Sequence, residues 1–435
     1  MLDLRLMMTS PVGGRYDFLE EVPVEVCYVG EDAAEELADF ARDRCGAKGL
    51  VVSDENTRAA AGEAPLRALR DAGKSLAEKV FPGGPLDATD TLAAQVAGLG
   101  EDADFYVAIG SGTLCDLAKA AGTQQQKPVL LYATAASMNG YTSGIVALKV
   151  RGLKRTLPCK PAEGVFAHPR VVAAAPPRMA AAGVADFLSK CSSSADWLAG
   201  YKLRGGFYTD RPRRIVEGIQ DRLFQEAPRV GAGDPEAVAV ALEALLLSGF
   251  GMIVAGSSAP ASGGEHLISH YIDMKHALHH TGHDLHGVQV GVATVYTLEL
   301  WERVLSLDPA GIDPAALAAA HLSQETIRQT VFDDWGEEVG AEVWQQWCEK
   351  ALDAAALEDE IRRFAMNYET LREELQKDLV PSRVVANCIE QSGGPTRAED
   401  MTAPVTEYER GCRHARYLRN RFTILDLAAE LGVGP

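Results

Sequence analysis

At 435 residues the chain exceeds what one hydrophobic core holds, so two domains are expected, with three as the second choice. A hydrophobic fraction of 47% argues against compositional disorder, and a formal net charge of -19 disfavours nucleic acid and anionic membranes as partners. Eight scattered cysteines with no C-x-x-C pair speak against a zinc ribbon, a thioredoxin-type motif or a disulfide scaffold, and for reduced thiols in a cytoplasmic protein.

The opening MLDLRLMMTSPVGGRYDF has no basic region followed by a long apolar run, so no signal peptide is expected. VEVCYVG (24–30) reads as a strand and EDAAEELADFARDRC (31–45) as an amphipathic helix. GLVVSDENT (49–57) is a strand with a polar end, followed by an Ala-rich helix. LAEKVFPGG (76–84) is a further strand, with a helix after it. DFYVAIGSGT (104–113) runs from strand into a glycine turn, LCDLAKAAG (114–122) is helical, and PVLLYATAAS (128–137) is another strand. Strands alternating with helices predict a parallel sheet with right-handed crossovers. The pattern changes at VAAAPPRMAAAGVAD, where Pro176 and Pro177 punctuate the chain. From there apolar residues recur at helical spacing almost to the end. A boundary near 175 is therefore expected, with an α/β domain over 1–175 and an all-α domain over 176–435. The most apolar stretch, 237–259, carries Glu243 and follows an Asp234-Pro235 helix start. It predicts a buried core helix in preference to a membrane span.

Three strand ends carry candidate nucleotide contacts. In VAIGSGTLCDLAKAAG, glycines let the backbone approach a pyrophosphate, and the helix start supplies N–H groups and a positive dipole end. The third glycine of G-x-G-x-x-G is missing, so an ordinary tight turn stays open as the other explanation. Asp54 closes its strand where a carboxylate could bind an adenosine ribose, or cap the next helix. Thr134 and Ser137 stand at the end of the next strand.

A second constellation lies downstream. In SGGEHLISH, Ser262, Gly263 and Gly264 form a flexible approach to His266 and His270, which share one face of a helix at i and i+4. HDLHGVQVG offers His286, and GVADFLSK offers Asp186 with Lys190 four residues on. One carboxylate and two imidazoles suit a divalent transition ion and leave a position open for water or substrate. His276, His279, His280 and His283 show how rich the region is in histidine, and most of these are not expected to be ligands.

Together the stretches IGSGTLCDLAKAAG, TAASMNGYTSGIVAL, GVADFLSKCSSSADW, SGGEHLISHYIDM, DLHGVQVGVAT and RYLRNRFTILDLAAELG resemble the glycerol-1-phosphate dehydrogenases, especially their bacterial branch. These belong to the superfamily of glycerol dehydrogenases, iron-containing alcohol dehydrogenases and dehydroquinate synthases. The resemblance runs from about residue 50 to the C-terminus. It implies a dehydroquinate synthase-like fold, in which a Rossmann-like α/β domain binds NAD or NADP and a helical domain holds one Zn, Ni or Fe ion per subunit. Position by position, it implies Asp186, His266 and His286 as metal ligands. It places His270 near metal and nicotinamide as a catalytic group, and Lys190 where some relatives carry a fourth ligand. Gly110, Ser111 and Gly112 fall on pyrophosphate-binding positions, Asp54 on the ribose position, and Asp116, Thr134 and Ser137 on further cofactor contacts. Substrate contacts would come from Asn139, Ser143, Asp186 and His270. The family usually reads Ser-Met-Asp-Gly where this chain reads Ser137-Met138-Asn139-Gly140, so an amide replaces an acid that faces substrate.

The implied reaction is NAD(P)H-linked reduction of dihydroxyacetone phosphate to glycerol 1-phosphate by a homodimer or higher homo-oligomer, with His270 relaying a proton. Lys154, Arg155 and Lys190 are phosphate candidates by charge. Arg410, Arg413, Arg416, Arg419 and Arg421 are expected on a helix surface or subunit contact. Asn139 keeps open a different phosphorylated, phosphonate or carboxylated ketone. A sugar-phosphate cyclase of the dehydroquinate synthase type and a non-catalytic nucleotide-binding protein are the remaining alternatives.

Overall fold

The computed structural model describes residues 22–150 and 153–434. These divide into two compact units. The first holds the described residues to Phe187 together with Asp210–Ser257 and Cys388–Gly394. The second holds Leu188–Thr209, Ser258–Asn387 and the described residues from Pro395.

The first unit is built on a six-stranded parallel sheet. Its strands are β1 (Val26–Val29), β2 (Lys48–Asp54), β3 (Ser75–Phe81), β4 (Phe105–Gly110), β5 (Val129–Ala133) and, after a hairpin, β8 (Gly164–Ala167). Their order across the sheet is β1-β8-β5-β4-β2-β3. The hairpin is the antiparallel pair β6 (Ile145–Val150) and β7 (Leu153–Pro158). β4, FYVAIG, is buried along its whole length, as a central parallel strand covered on both faces must be. Leu37, Val51, Phe105, Val107, Ile109, Leu130, Tyr132 and Phe166 form one apolar cluster on the sheet. Helix α1 (Ala33–Arg44) contributes Leu37 to it, with Glu35 and Glu36 in the first turn and Arg42 and Arg44 in the last, where the helix dipole favours them.

The strands expected from sequence are all present, trimmed by a few residues. The largest trim is at 128–137, where β5 stops at Ala133; at 49–57, β2 stops at Asp54 and helix α2 (Glu55–Ala61) begins at once. Three strands were not anticipated. The four residues of β8 are too few to show a period, yet they lie inside the sheet between β1 and β5. The β6–β7 hairpin, IVALKV and LKRTLP, forms a separate two-stranded sheet.

Helices take over after β8, and no strand follows it among the described residues. The helical part does not coincide with one unit, however. The antiparallel helices Arg211–Gly231 and Pro235–Ala255 belong with the sheet, so the division differs from a single cut near 175. Pro235–Ala255 explains why. It is long and apolar enough to cross a membrane by composition, with mean hydropathy 2.2, but 89% of its apolar window is buried in the protein. A helix apolar all round must find cover on every side.

Candidate active site

Candidate residues stand in each of the two units. In the first, β4 ends at Gly110 and helix α3 (Gly112–Gln125) starts after Ser111, whose side chain makes no capping hydrogen bond. The two glycines have different reasons to be there. A Cβ on Gly110 would meet Leu114 Cδ1 at 2.4 Å and Leu114 Cβ at 2.8 Å, so packing demands glycine. A Cβ on Gly112 would meet nothing nearer than Met138 Cγ at 3.5 Å, an ordinary contact. Neither has a positive φ. The fold leaves Gly112 unexplained, which is what a close approach by a ligand to the helix start would require.

Met138 leads into the segment carrying Asn139. The Asn139 N–H donates to Asp186 Oδ2 at 2.9 Å, so the turn, Asn139 and Asp186 adjoin one another within this unit. Asp186 lies on helix α4 (Pro177–Leu188) and is buried. The helix can come so close because of Gly183, where a Cβ would stand 2.1 Å from the Ala136 carbonyl oxygen. The helix Pro235–Ala255 approaches the same segment through Gly249, whose Cβ would stand 2.0 Å from Thr142 Oγ1. Thr142 Oγ1 donates to the Leu246 carbonyl at 2.7 Å.

From the third side α3 holds the segment with charges. Lys119, fully buried, donates to the carbonyls of Gly140 (2.7 Å) and Ile145 (2.8 Å). Asp116 Oδ2 accepts the Ala147 N–H at 3.0 Å. Burial pushes the Asp116 carboxyl up to about 6, with Lys119 opposing. Asp116 and Lys119 sit three apart on one helix face, a pattern visible in DLAK that the sequence reading did not use for Lys119. Ser143 is buried, and its hydroxyl is engaged with the Gly140 and Ile145 carbonyls (3.0 and 3.2 Å), so the structure places it as a staple of this segment. Thr134 is buried and continues the β4–β5 ladder through its N–H to the Gly110 carbonyl (3.1 Å). Ser137 is half-buried and shares a hydrogen bond with Tyr141. Asp54 caps α2: its Oδ1 accepts the Thr57 N–H at 2.7 Å, and Thr57 Oγ1 accepts the Asp54 N–H at 3.1 Å. Of the two roles left open for it, the cap is therefore filled. Lys154 and Arg155 lie half-buried on β7.

In the second unit, helix α5 (Gly264–His279) carries His266 and His270, and helix α6 (His286–Val304) begins with His286. The three rings gather there, with centroids 5.2 Å apart for His266 and His286, 5.8 Å for His270 and His286, and 6.3 Å for His266 and His270. His266 Nδ1 lies 2.9 Å from Glu265 Oε1, and His286 Nδ1 lies 3.1 Å from Ser269 Oγ. Both Nδ1 atoms thus face a protein oxygen.

The flexible approach expected at Ser262-Gly263-Gly264 is instead tightly packed. Gly263 and Gly264 are buried, the Gly264 N–H donates to Asp196 Oδ2 at 2.8 Å, and the Gly263 N–H donates to Glu265 Oε1 at 2.7 Å. A Cβ on Gly263 would stand 2.4 Å from Asp196 Oδ2. Burial, then the Glu265 charge, push Asp196 well above the usual carboxylate range. Lys190 is buried on the helix Lys190–Arg204 and donates to the Pro260 carbonyl at 3.3 Å. Among the tail arginines, Arg416 is not on a surface. It is buried, with Nε 3.3 Å from Asp426 Oδ1 and its guanidinium over the Trp347 ring. Arg421 is half-buried and donates to the Ser262 carbonyl and to Ser258 Oγ. Arg410 and Arg413 are exposed, as expected.

Comparison with known proteins follows the same lines. A family model described as iron-containing alcohol dehydrogenase matches residues 28–176. The glycerol-1-phosphate dehydrogenase, NAD(P)+-linked, of Bacillus velezensis is 32% identical over 298 residues, 66% of this chain and 76% of that protein. Its namesake from Geobacillus stearothermophilus is 27% identical over 418 residues, 94% of each chain. The alcohol dehydrogenase from Oenococcus oeni superposes with a TM-score of 0.61 over 95% of this chain and 98% of that one, at 15% identity, which speaks for the fold alone. The chain belongs to the glycerol-1-phosphate dehydrogenase family, within the iron-containing alcohol dehydrogenases, and is an NAD(P)-dependent oxidoreductase.

Proposed function

We propose that the chain is a metal-dependent NAD(P)H-linked reductase of dihydroxyacetone phosphate, forming glycerol 1-phosphate. The observation that carries the reading is the donor chemistry of Asp186, His266 and His286. They offer one carboxylate oxygen and two imidazole nitrogens, a set that fits Zn²⁺, Ni²⁺ or Fe²⁺. The names of the relatives supply the substrate.

When bound, the dinucleotide supplies hydride to the ketone carbon, and the ion polarises the ketone oxygen as a Lewis acid. The chain's own residues do the rest. The Gly110–Gly112 turn and the start of α3 receive the pyrophosphate. Asn139 stands where the substrate carbon and the nicotinamide meet, and its amide can both donate and accept. His270 holds the proton that the product alkoxide needs, at an imidazole nitrogen. Lys190, Lys154 and Arg155 are the candidate cations for the phosphate.

Asn139 supports a second reading of the substrate. An amide in place of the family's acid removes a negative charge from a half-buried position, so a ketone with a carboxylate or phosphonate near the reacting carbon is tolerated better.

The test is NADH and NADPH oxidation at controlled metal content with a panel of phosphorylated and carboxylated ketones. Net oxidation with dihydroxyacetone phosphate supports the proposal. Phosphate release without net oxidation marks a cyclase. Replacing His266 with Ala should strip the metal and abolish turnover in a folded protein, and a metal-loaded, active His266→Ala enzyme would refute the ligand set.

A further inference from the structure

We propose that Ser269, held by Gln289, is the positioning residue that selects which nitrogen of His286 meets the metal. The inference rests on the metal reading above.

Gln289 is fully buried on the first turn of α6. Its Oε1 accepts the Asp284 N–H at 2.9 Å, a bond that only the carbonyl end of the amide can make. Its nitrogen must then point the other way. There Nε2 donates to Ser269 Oγ at 3.0 Å and to Asp273 Oδ1 at 3.0 Å. Ser269 is itself fully buried, and its Oγ lies 3.1 Å from His286 Nδ1. So the chain Asp273–Gln289–Ser269–His286 has a defined direction up to the serine.

At the serine the proton has two arrangements. The hydroxyl can donate to a bare Nδ1, which leaves the proton on Nε2 and makes that nitrogen unable to ligate. Or Nδ1–H can donate to Ser269 Oγ, whose second lone pair is open beside the one that Gln289 fills. That leaves the Nε2 lone pair bare. Only the second arrangement binds a metal through Nε2, and only a group that both donates and accepts, as a hydroxyl does, serves both. Ser269 therefore lets the metal-free histidine rest as one tautomer and the metal-loaded histidine as the other without moving the ring. His266 has no such freedom, because the Glu265 carboxylate opposite its Nδ1 accepts only. The two ligand histidines are thus held differently, one by an acceptor and one by a switchable hydroxyl.

The test uses the full chain. Zinc affinity is measured by competition with a chromogenic chelator for the unaltered protein, Ser269→Ala and His266→Ala, with melting curves as the folding control. Ser269→Ala should weaken zinc about 10- to 100-fold, the range for loss of a partner behind a ligand histidine. ¹⁵N-histidine spectra of the unaltered, zinc-loaded protein, with His286→Gln to assign the signal, should show the proton on Nδ1 of His286. Removal of zinc should move it toward the Nε2–H form. If His266→Ala abolishes zinc binding while Ser269→Ala binds as tightly as the parent, the positioning role fails and the ligand set stands. If His266→Ala still binds zinc, the metal reading itself fails. Ligation through Nδ1 in the spectra overturns the inference even if Ser269→Ala does not fold.

Discussion

Replacing Gly112 by Ala should separate cofactor binding from folding, because the two glycines of the turn are kept for different reasons. The structure has room for a methyl group at Gly112: its nearest neighbour would be Met138 Cγ at 3.5 Å. The backbone there needs no positive φ. Gly112 is the first residue of a 14-residue helix, and alanine in a helix is favoured over glycine by up to about 1 kcal/mol. The metal-free, cofactor-free protein should therefore be as stable as its parent or slightly more so. A pyrophosphate lying against the helix start would instead lose the space that the methyl fills. A tenfold loss of NADH affinity corresponds to about 1.4 kcal/mol, and at least that is expected. Gly110→Ala is the contrast. Its Cβ would collide with Leu114 at 2.4 and 2.8 Å, which forces a shift of the kind that costs about 1–3 kcal/mol in a packed interior. Urea denaturation read by circular dichroism measures the first quantity, and NADH fluorescence titration the second. Unchanged NADH affinity in Gly112→Ala would show that the dinucleotide does not use this turn.

Asn139→Asp places an acid beside Asp186, whose Oδ2 accepts the Asn139 N–H. It should lower kcat/KM for carboxylated ketones relative to dihydroxyacetone phosphate by about tenfold, on the order of 1.4 kcal/mol; ratios that do not move make Asn139 a turn residue only. Asp116 gives a pH signature. Its carboxyl is raised from 3.8 to about 6 by burial, so the folded state holds the proton longer than the unfolded state, and the stability this gives is complete below 3.8 and lost as pH rises through 6. About 1.4 kcal/mol of that loss falls between pH 5 and pH 7. Asp116→Asn should remove it, which urea midpoints at the two pH values would register; the same pH slope in both proteins would count against a protonated Asp116.

The elements of the first unit were legible because each buried strand is an unbroken apolar run between polar helices, as VAIG and VLLY are. β8 was not, because GVFA is four residues long and owes its place in the sheet to neighbours on both sides. Nor was the assignment of Arg211–Gly231 and Pro235–Ala255 to the sheet's unit. Helical periodicity says that a segment is a helix, and a helix apolar on every side says that it is buried. Neither says what buries it. That depends on contacts such as Gly249 with Thr142, more than a hundred residues apart in the chain.

The site divides in the same way. Histidines four apart and a lone Asp before a Lys are local patterns, and motif resemblance gave them roles. The groups that hold them leave weaker marks. Lys119 looks like any lysine on an amphipathic helix until its two carbonyl acceptors are known, and Gln289 like any polar residue in a helix start. The glycines are the most instructive case. Gly110, Gly183 and Gly263 each face an atom within 2.4 Å of where a Cβ would stand, so the fold itself forbids a side chain. Gly112 faces none, and sequence alone cannot tell it from the others. A glycine that neither packing nor backbone conformation requires is best explained by something outside the chain, and here it stands at a helix start of an NAD(P)-dependent enzyme. The dinucleotide is the partner we propose for it.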